Sequence, residues 1–118
     1  MRAKDAVGAY GERVAAQHLA AAGLVVLDRN WRCADGELDI VARDGSTLVF
    51  CEVKTRRGDD FGTPAEAVVP AKVRRLRRLA TAWMTASGVR PEEVRFDVVS
   101  VRPQRSGAAR VEHLRGVF

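Results

Sequence analysis

Asp39, Glu52 and Lys54 are the residues of this chain whose types and spacing could do chemistry. They interrupt two runs that otherwise read as buried strands, Leu38-Asp39-Ile40-Val41 and Leu48-Val49-Phe50-Cys51-Glu52-Val53-Lys54-Thr55. An ionised group in such a place is costly unless it is paired or bound to a metal. Two carboxylates on one sheet face repel, and one ammonium offsets only one of them. A divalent cation is the natural third party, and hard oxygen ligands favour Mg²⁺ or Mn²⁺ over zinc. A cation held this way lowers the pKa of a bound water and stabilises charge developing on a phosphodiester, while a nearby ammonium orients the water or neutralises the pentavalent state. The chemistry expected of this trio is phosphodiester hydrolysis.

The two runs flank Asp44-Gly45, a strong hairpin signal. With those two residues as the loop, Asp39 faces Phe50 and lies diagonal to Glu52; a four-residue loop puts Asp39 directly opposite Glu52. Both registers leave Asp39, Glu52 and Lys54 on one side of the sheet, as an odd loop length does not. Cys51 is expected to pack on the opposite face as a small apolar residue, and Cys33 to be a loop thiol; two cysteines do not make a disulfide scaffold or a zinc site.

A helix is expected over residues 3–22, Ala-rich and stopped by Gly23. Glu12 shares its apolar stripe with Ala15, Ala16 and Leu19 and so points inward, beside Gly8 and Gly11, whose missing side chains let a backbone or ligand approach. The competing reading is an exposed Glu12 paired with Arg13. His18 reads as a partly exposed polar residue. A short strand over 24–28 precedes Arg29-Asn30-Trp31-Arg32, with Trp31 covering the end of the core.

Beyond Thr55 comes a charged, glycine-punctuated loop that holds Arg56 and Arg57 and lies next to the candidate site, then a helical turn over 64–68. A helix follows over 70–87, with Pro70 in its first turn and Gly88 after its end. Its apolar stripe is Val73, Leu76, Ala80, Trp83 and Met84. Lys72, Arg74, Arg75, Arg77 and Arg78 place five bases within seven positions, with no acid among them. That pattern suits contacts to a phosphate backbone, which position nucleic acid without reading its sequence. A strand over 94–102 comes next. Asp97 within it is expected to pair with an arginine, His113 has no visible partner and is not expected to be a ligand, and 111–114 is a candidate edge strand.

These elements follow the order α-β-β-β-α-β, with a right-handed crossover through the basic helix making the last strand parallel to an earlier one. The expected fold is a single-domain α/β sandwich with a mixed central sheet, its core over about 4–102 and a C-terminal extension over 103–118. The 118 residues suffice for one continuous core. A net charge of +5 favours polyanionic partners, and no apolar run reaches the ~20 residues of a bilayer span. The N-terminus lacks a basic-then-apolar leader pattern, so a cytoplasmic protein without membrane contact is expected.

The spacing of Asp39 and Glu52-Val53-Lys54 resembles the D…(D/E)xK signature of the PD-(D/E)XK nucleases, whose restriction-endonuclease-like core has the same α-β-β-β-α-β order. A longer text is more specific: Gly8-Ala9-Tyr10-Gly11-Glu12, Arg29-Asn30-Trp31-Arg32, Gly36-Glu37-Leu38-Asp39-Ile40, Phe50-Cys51-Glu52-Val53-Lys54-Thr55-Arg56, Pro64-Ala65-Glu66-Ala67-Val68 and Arg95-Phe96-Asp97-Val98-Val99. Together these resemble the bacterial YraN family of endonuclease-like proteins, similar to archaeal Holliday junction resolvases. The resemblance implies that Asp39, Glu52 and the backbone carbonyl of Val53 bind Mg²⁺ or Mn²⁺, that Lys54 serves the attacking water, and that Glu12 reaches the metal through water or a substrate phosphate. Lys72 or Arg75 would stand where related nucleases keep a Gln or Lys. The implied function is a metal-dependent endonuclease acting on DNA, branched or junction-like, and the implied assembly a homodimer, since two active sites cut a junction symmetrically. Nucleic-acid contacts are assigned to Arg56, Arg57, Lys72, Arg74, Arg75 and Arg78. Two other readings compete: a non-catalytic nucleic-acid-binding module on the same scaffold, and a protein-interaction domain whose charges form a structural cluster.

Overall fold

An antiparallel meander builds most of the sheet. In the computed structural model, which describes residues 3–56 and 69–117, β1 (Val25–Cys33), β2 (Gly36–Asp44) and β3 (Thr47–Thr55) pair antiparallel in sequence order. Helix α2 (Pro70–Ser87) then leads to β4 (Glu93–Arg102), parallel to β3, and β5 (Arg110–Leu114) closes the edge antiparallel to β4. The strand order is β1-β2-β3-β4-β5, a mixed five-stranded sheet, preceded in the chain by α1 (Ala3–Ala21). This is the expected α/β sandwich with β5 added. Residues 57–68, which hold Arg57 and the turn expected over 64–68, lie outside the described residues.

The two helices cover opposite faces. Ala15 and Leu19 of α1 pack on Ile40, Ala42, Val49, Cys51, Val99 and Val101. Leu76, Leu79, Ala80 and Trp83 of α2 pack on Leu38, Val41, Leu48, Phe50 and Phe96. Burying a side chain such as Leu19, fully enclosed here, is worth about 2–3 kcal/mol. Helix α1 ends where expected, Gly23 taking a φ of +98° and the Leu24 N–H returning to the Leu19 carbonyl at 3.0 Å. Helix α2 starts with Pro70 and is closed by Gly88 at φ +77°, whose N–H bonds to the Met84 carbonyl.

Three sequence expectations change. The β2–β3 loop is Gly45-Ser46, not Asp44-Gly45: Asp44 pairs with Thr47, stays in the ladder and takes an ion pair from Arg95 at 3.0 Å, while Gly45 supplies the positive φ. Cys33 is no loop thiol, because β1 runs through Trp31 and Arg32 to reach it, and both Trp31 and Cys33 pack against the α2-side cluster. His113 does have a partner. The β4–β5 register sets it opposite Val99, and its Nε2 lies 2.7 Å from Oδ2 of the fully buried Asp97.

Candidate active site

Side-chain alternation breaks on two adjacent strands at the same row, and Asp39 is there. On β2, Leu38 and Val41 belong to the cluster under α2, whereas Ile40 belongs to the one under α1. On β1, Trp31 packs on the α2 side and Asp28 accepts a hydrogen bond from Trp83 Nε1 of α2 at 3.0 Å. Between these anchors each strand carries two residues where strict alternation allows one or three. The pairs Arg29↔Ile40 and Trp31↔Leu38 leave Asn30 across from Asp39. Both residues line a cavity of about 890 Å³ on the α1 side, together with Gly8, Glu12, Glu37 and Lys54. At this row Asn30 takes a φ of +53°, the one positive value of a non-glycine among the described residues. That conformation costs an L-residue about 1–2 kcal/mol, least for asparagine.

Glu12 reaches the cavity because α1 approaches β3 closely. A Cβ on Gly11 would lie 1.8 Å from Thr55 Oγ1, so only glycine allows this contact, whereas Gly8 faces open space. Carboxylate oxygens of Glu12, Glu37 and Asp39 lie within 4.8 Å of one another. Glu37 also holds Arg32 Nε at 2.7 Å. The Asn30 amide sits against both Glu12 oxygens; an amide oxygen there would face only acceptors, so its nitrogen donates to the carboxylate. Burial, then the charges of Asp39 and Glu37, push the Glu12 carboxyl up to about 7. Asp39 is pushed up to about 6 by burial and by Glu52 and Glu37, against the Val53 N–H that donates to its Oδ2 at 2.9 Å.

That hydrogen bond marks where β2 and β3 separate. Ile40↔Cys51 is their last pair, and one step further, where Asp39 and Glu52 stand opposite, a side chain rather than a backbone carbonyl receives the β3 N–H. The structure departs from the expectation that Asp39, Glu52 and Lys54 share one sheet face. Asp39 turns to the α1 side with Glu12. Glu52 pairs instead with Lys72 of α2, Nζ to Oε1 at 2.7 Å. Its Oε2 is buried and has no hydrogen-bond partner among the described residues. Lys54 lies between the groups, lining the cavity and held below the usual lysine range by the Lys72 amine beside it and by burial. The carboxylates therefore bracket the split from both sides.

The other predicted residues fall into two groups. Arg74, Arg75 and Arg78 are exposed along α2, the helix whose first turn brings Lys72 to Glu52. Lys72 is not part of that solvent face; it is half-buried and tied inward. Arg56 is half-buried just after β3, its N–H bonded to the Val101 carbonyl at 3.0 Å, and Arg57 lies outside the described residues. Asn30 and Glu37 are site residues that no argument from type and spacing singled out. The available signal was an asparagine, a poor strand former, inside what proves to be a strand.

The donor set suits a hard dication. It is all oxygen, Glu12 and Asp39 are pushed up by burial and by neighbouring carboxylates, and Glu52 has a buried oxygen without a hydrogen-bond partner among the described residues. The profile of an uncharacterised protein family, UPF0102, matches residues 11–101. The chain belongs to this family. A UPF0102 protein of Beutenbergia cavernae is 65% identical over 117 residues, covering 99% of each chain. One of Frankia alni is 61% identical over 118 residues, covering 100% of this chain and 98% of its own, and one of Streptomyces griseus is 56% identical over 118 residues, covering 99% of each. Glu12, Asn30, Glu37, Asp39, Glu52, Val53, Lys54 and Lys72 all lie within the span that defines UPF0102.

Proposed function

We propose that this UPF0102 protein is a divalent-cation-dependent nuclease that hydrolyses phosphodiester bonds in DNA, branched or junction-like DNA among them. The observation that carries the reading is the split between β2 and β3, where Asp39 takes a β3 N–H, Glu52 keeps a buried oxygen without a partner among the described residues, and Lys54 stands between. Asp39, Glu52 and the Val53 carbonyl would hold Mg²⁺ or Mn²⁺, with Glu12 acting through water. The ion would supply water acidification and charge stabilisation at the phosphate.

The chain's own groups supply the rest. Lys54, whose proton affinity is lowered by Lys72 and burial, is suited to take a proton as the water oxygen bonds to phosphorus and the ester P–O bond breaks. Lys72, on the first turn of α2, links Glu52 to the helix whose exposed arginines would lie along the nucleic acid backbone. A homodimer, placing two such sites on one junction, belongs to the same proposal.

The test is a cleavage screen with purified protein over junctions, flaps, single strands and duplexes in Mn²⁺ and Mg²⁺, with Asp39→Ala, Glu52→Ala and Lys54→Ala as controls. The expected result is metal-dependent cleavage by the wild type, lowered at least about 10²-fold in each variant while binding persists. Cleavage by Glu52→Ala at the wild-type rate would overturn the reading. Tight, salt-sensitive binding without turnover on every substrate would favour the non-catalytic module; there, Arg74→Ala with Arg78→Ala should lower the salt slope by about 2.

A further inference from the structure

Asn30 is a residue of the site to which the proposed chemistry gives no work. It neither suits a hard cation as well as a carboxylate nor carries charge for a phosphate. Yet two independent features single it out. Its backbone takes the left-handed conformation in the middle of a nine-residue strand, at the row where the alternation of both β1 and β2 breaks. Its side-chain nitrogen meets both oxygens of Glu12, a residue that arrives from a different element. With this backbone the position-30 side chain lines the same α1-side cavity as Asp39.

We propose that Asn30 is a positioning residue, whose amide fixes the Glu12 carboxylate beside Asp39 and whose backbone makes the double irregularity that aims Asp39 into the cavity. The catalytic part of this inference rests on the nuclease reading; the contact itself does not. Glu12 sits on α1, attached to the sheet near the cavity through the Gly11–Thr55 approach, and its side chain has rotatable bonds enough to leave the site. A neutral amide holds it there without displacing a cation, as Arg or Lys would, and without repelling it, as Asp would. Outer partners that orient a metal-site acid in this way typically contribute 10–100-fold to affinity or rate.

Two measurements on the full chain test this. The first is the side-chain amide signal of Asn30 in ¹⁵N-correlated NMR, assigned by its loss in Asn30→Gly. It should shift when Glu12 is changed to Ala, and an unchanged signal would overturn the contact. The second is a comparison of wild type with Asn30→Gly, which keeps the left-handed backbone without strain, and with Asn30→Asp, which keeps the shape and sets a carboxylate against Glu12. Asn30→Gly should melt at or above the wild-type temperature yet lose 10–100-fold in kcat at unchanged KM for DNA; Asn30→Asp should lose at least as much. Wild-type kcat in Asn30→Gly would overturn the positioning role. Should the wild type cleave nothing, the nuclease reading falls, and Asn30 is then decided by the amide shift and by Mn²⁺ affinity, expected to be 10–100-fold weaker in Asn30→Gly; equal Mn²⁺ affinity would overturn the role in that case as well.

Discussion

Ionising Asp39 and Glu12 works against the folded state. Their carboxyls lie at about 6 and about 7 in the fold against ordinary values of 3.8 and 4.5, so the folded chain binds protons more tightly than the unfolded one. Stability is therefore lost as pH rises from about 4 to about 7, the opposite of a salt-bridged acid. Asp39→Asn keeps an oxygen for the Val53 N–H and removes the charge. We predict that it raises stability at pH 8 by about 1 kcal/mol after solvent screening, and by much less at pH 4, as read from thermal melts at the two pH values. Added Mg²⁺ should raise the melting temperature of the wild type at pH 8 and not that of the variant. A variant less stable than wild type at pH 8 would contradict the account. Asp39 itself was legible as an anomaly, an acid between Leu38 and Ile40. Its direction was not, because period-2 parity presumes an unbroken strand, and the break depends on the backbone of Asn30 on the neighbouring one.

The elements were more legible than their junctions. Helix α1, the hairpin and the basic helix α2 follow from composition, turn residues and periodicity, and the crossover rule made the last helix-linked strand parallel to an earlier one, which the structure identifies as β3. What could not be read was which residues meet between elements: Glu52 with Lys72, Asp28 with Trp83, Asn30 with Glu12. Sequence spacing carries no information on contacts between α2 and the sheet until the packing angle is known. The two glycines of α1 illustrate the difference at this scale. Each removes a side chain, and only the tertiary structure distinguishes them. Gly11→Ala must push α1 off Thr55 and is predicted to cost about 1–3 kcal/mol net, whereas Gly8→Ala meets nothing among the described residues and should gain up to about 1 kcal/mol from helix propensity. Urea midpoints of the two variants give the comparison, and equal midpoints would refute it.

The molecule has a second charged centre, on β4 and β5, and it works in the opposite sense. Asp97 is fully buried, and burial alone would raise its pKa; Arg95, the Gly116 N–H and His113 instead hold it below the ordinary carboxylate range. Each of its oxygens accepts two hydrogen bonds, from Arg95 Nε and Gly116 N on one and from Arg95 Nη2 and His113 Nε2 on the other. With Arg95 also bound to Asp44, this network ties β2, β4 and β5 together. Its stabilisation is present above the ordinary Asp pKa and lost as pH falls through the lowered folded value. Asp97→Asn is predicted to lose on the order of 3 kcal/mol at pH 7, shrinking in acid, by denaturant titration. A neutral result would mean that the network is dispensable.

The left-handed turn of Asn30 has a consequence beyond the site. β1 is an outer strand of the sheet, with one row of backbone donors and acceptors unpaired by any neighbour in the order β1-β2-β3-β4-β5. A flat strand in that position is a template on which another chain can grow. β1 is not flat: its ladder slips between Val26 and Asp28, its backbone reverses sign at Asn30, and Arg29 and Arg32 are exposed along it. No straight strand can match such an edge over its length. The irregular backbone of β1 therefore makes this edge a poor template for strand-by-strand addition of another copy.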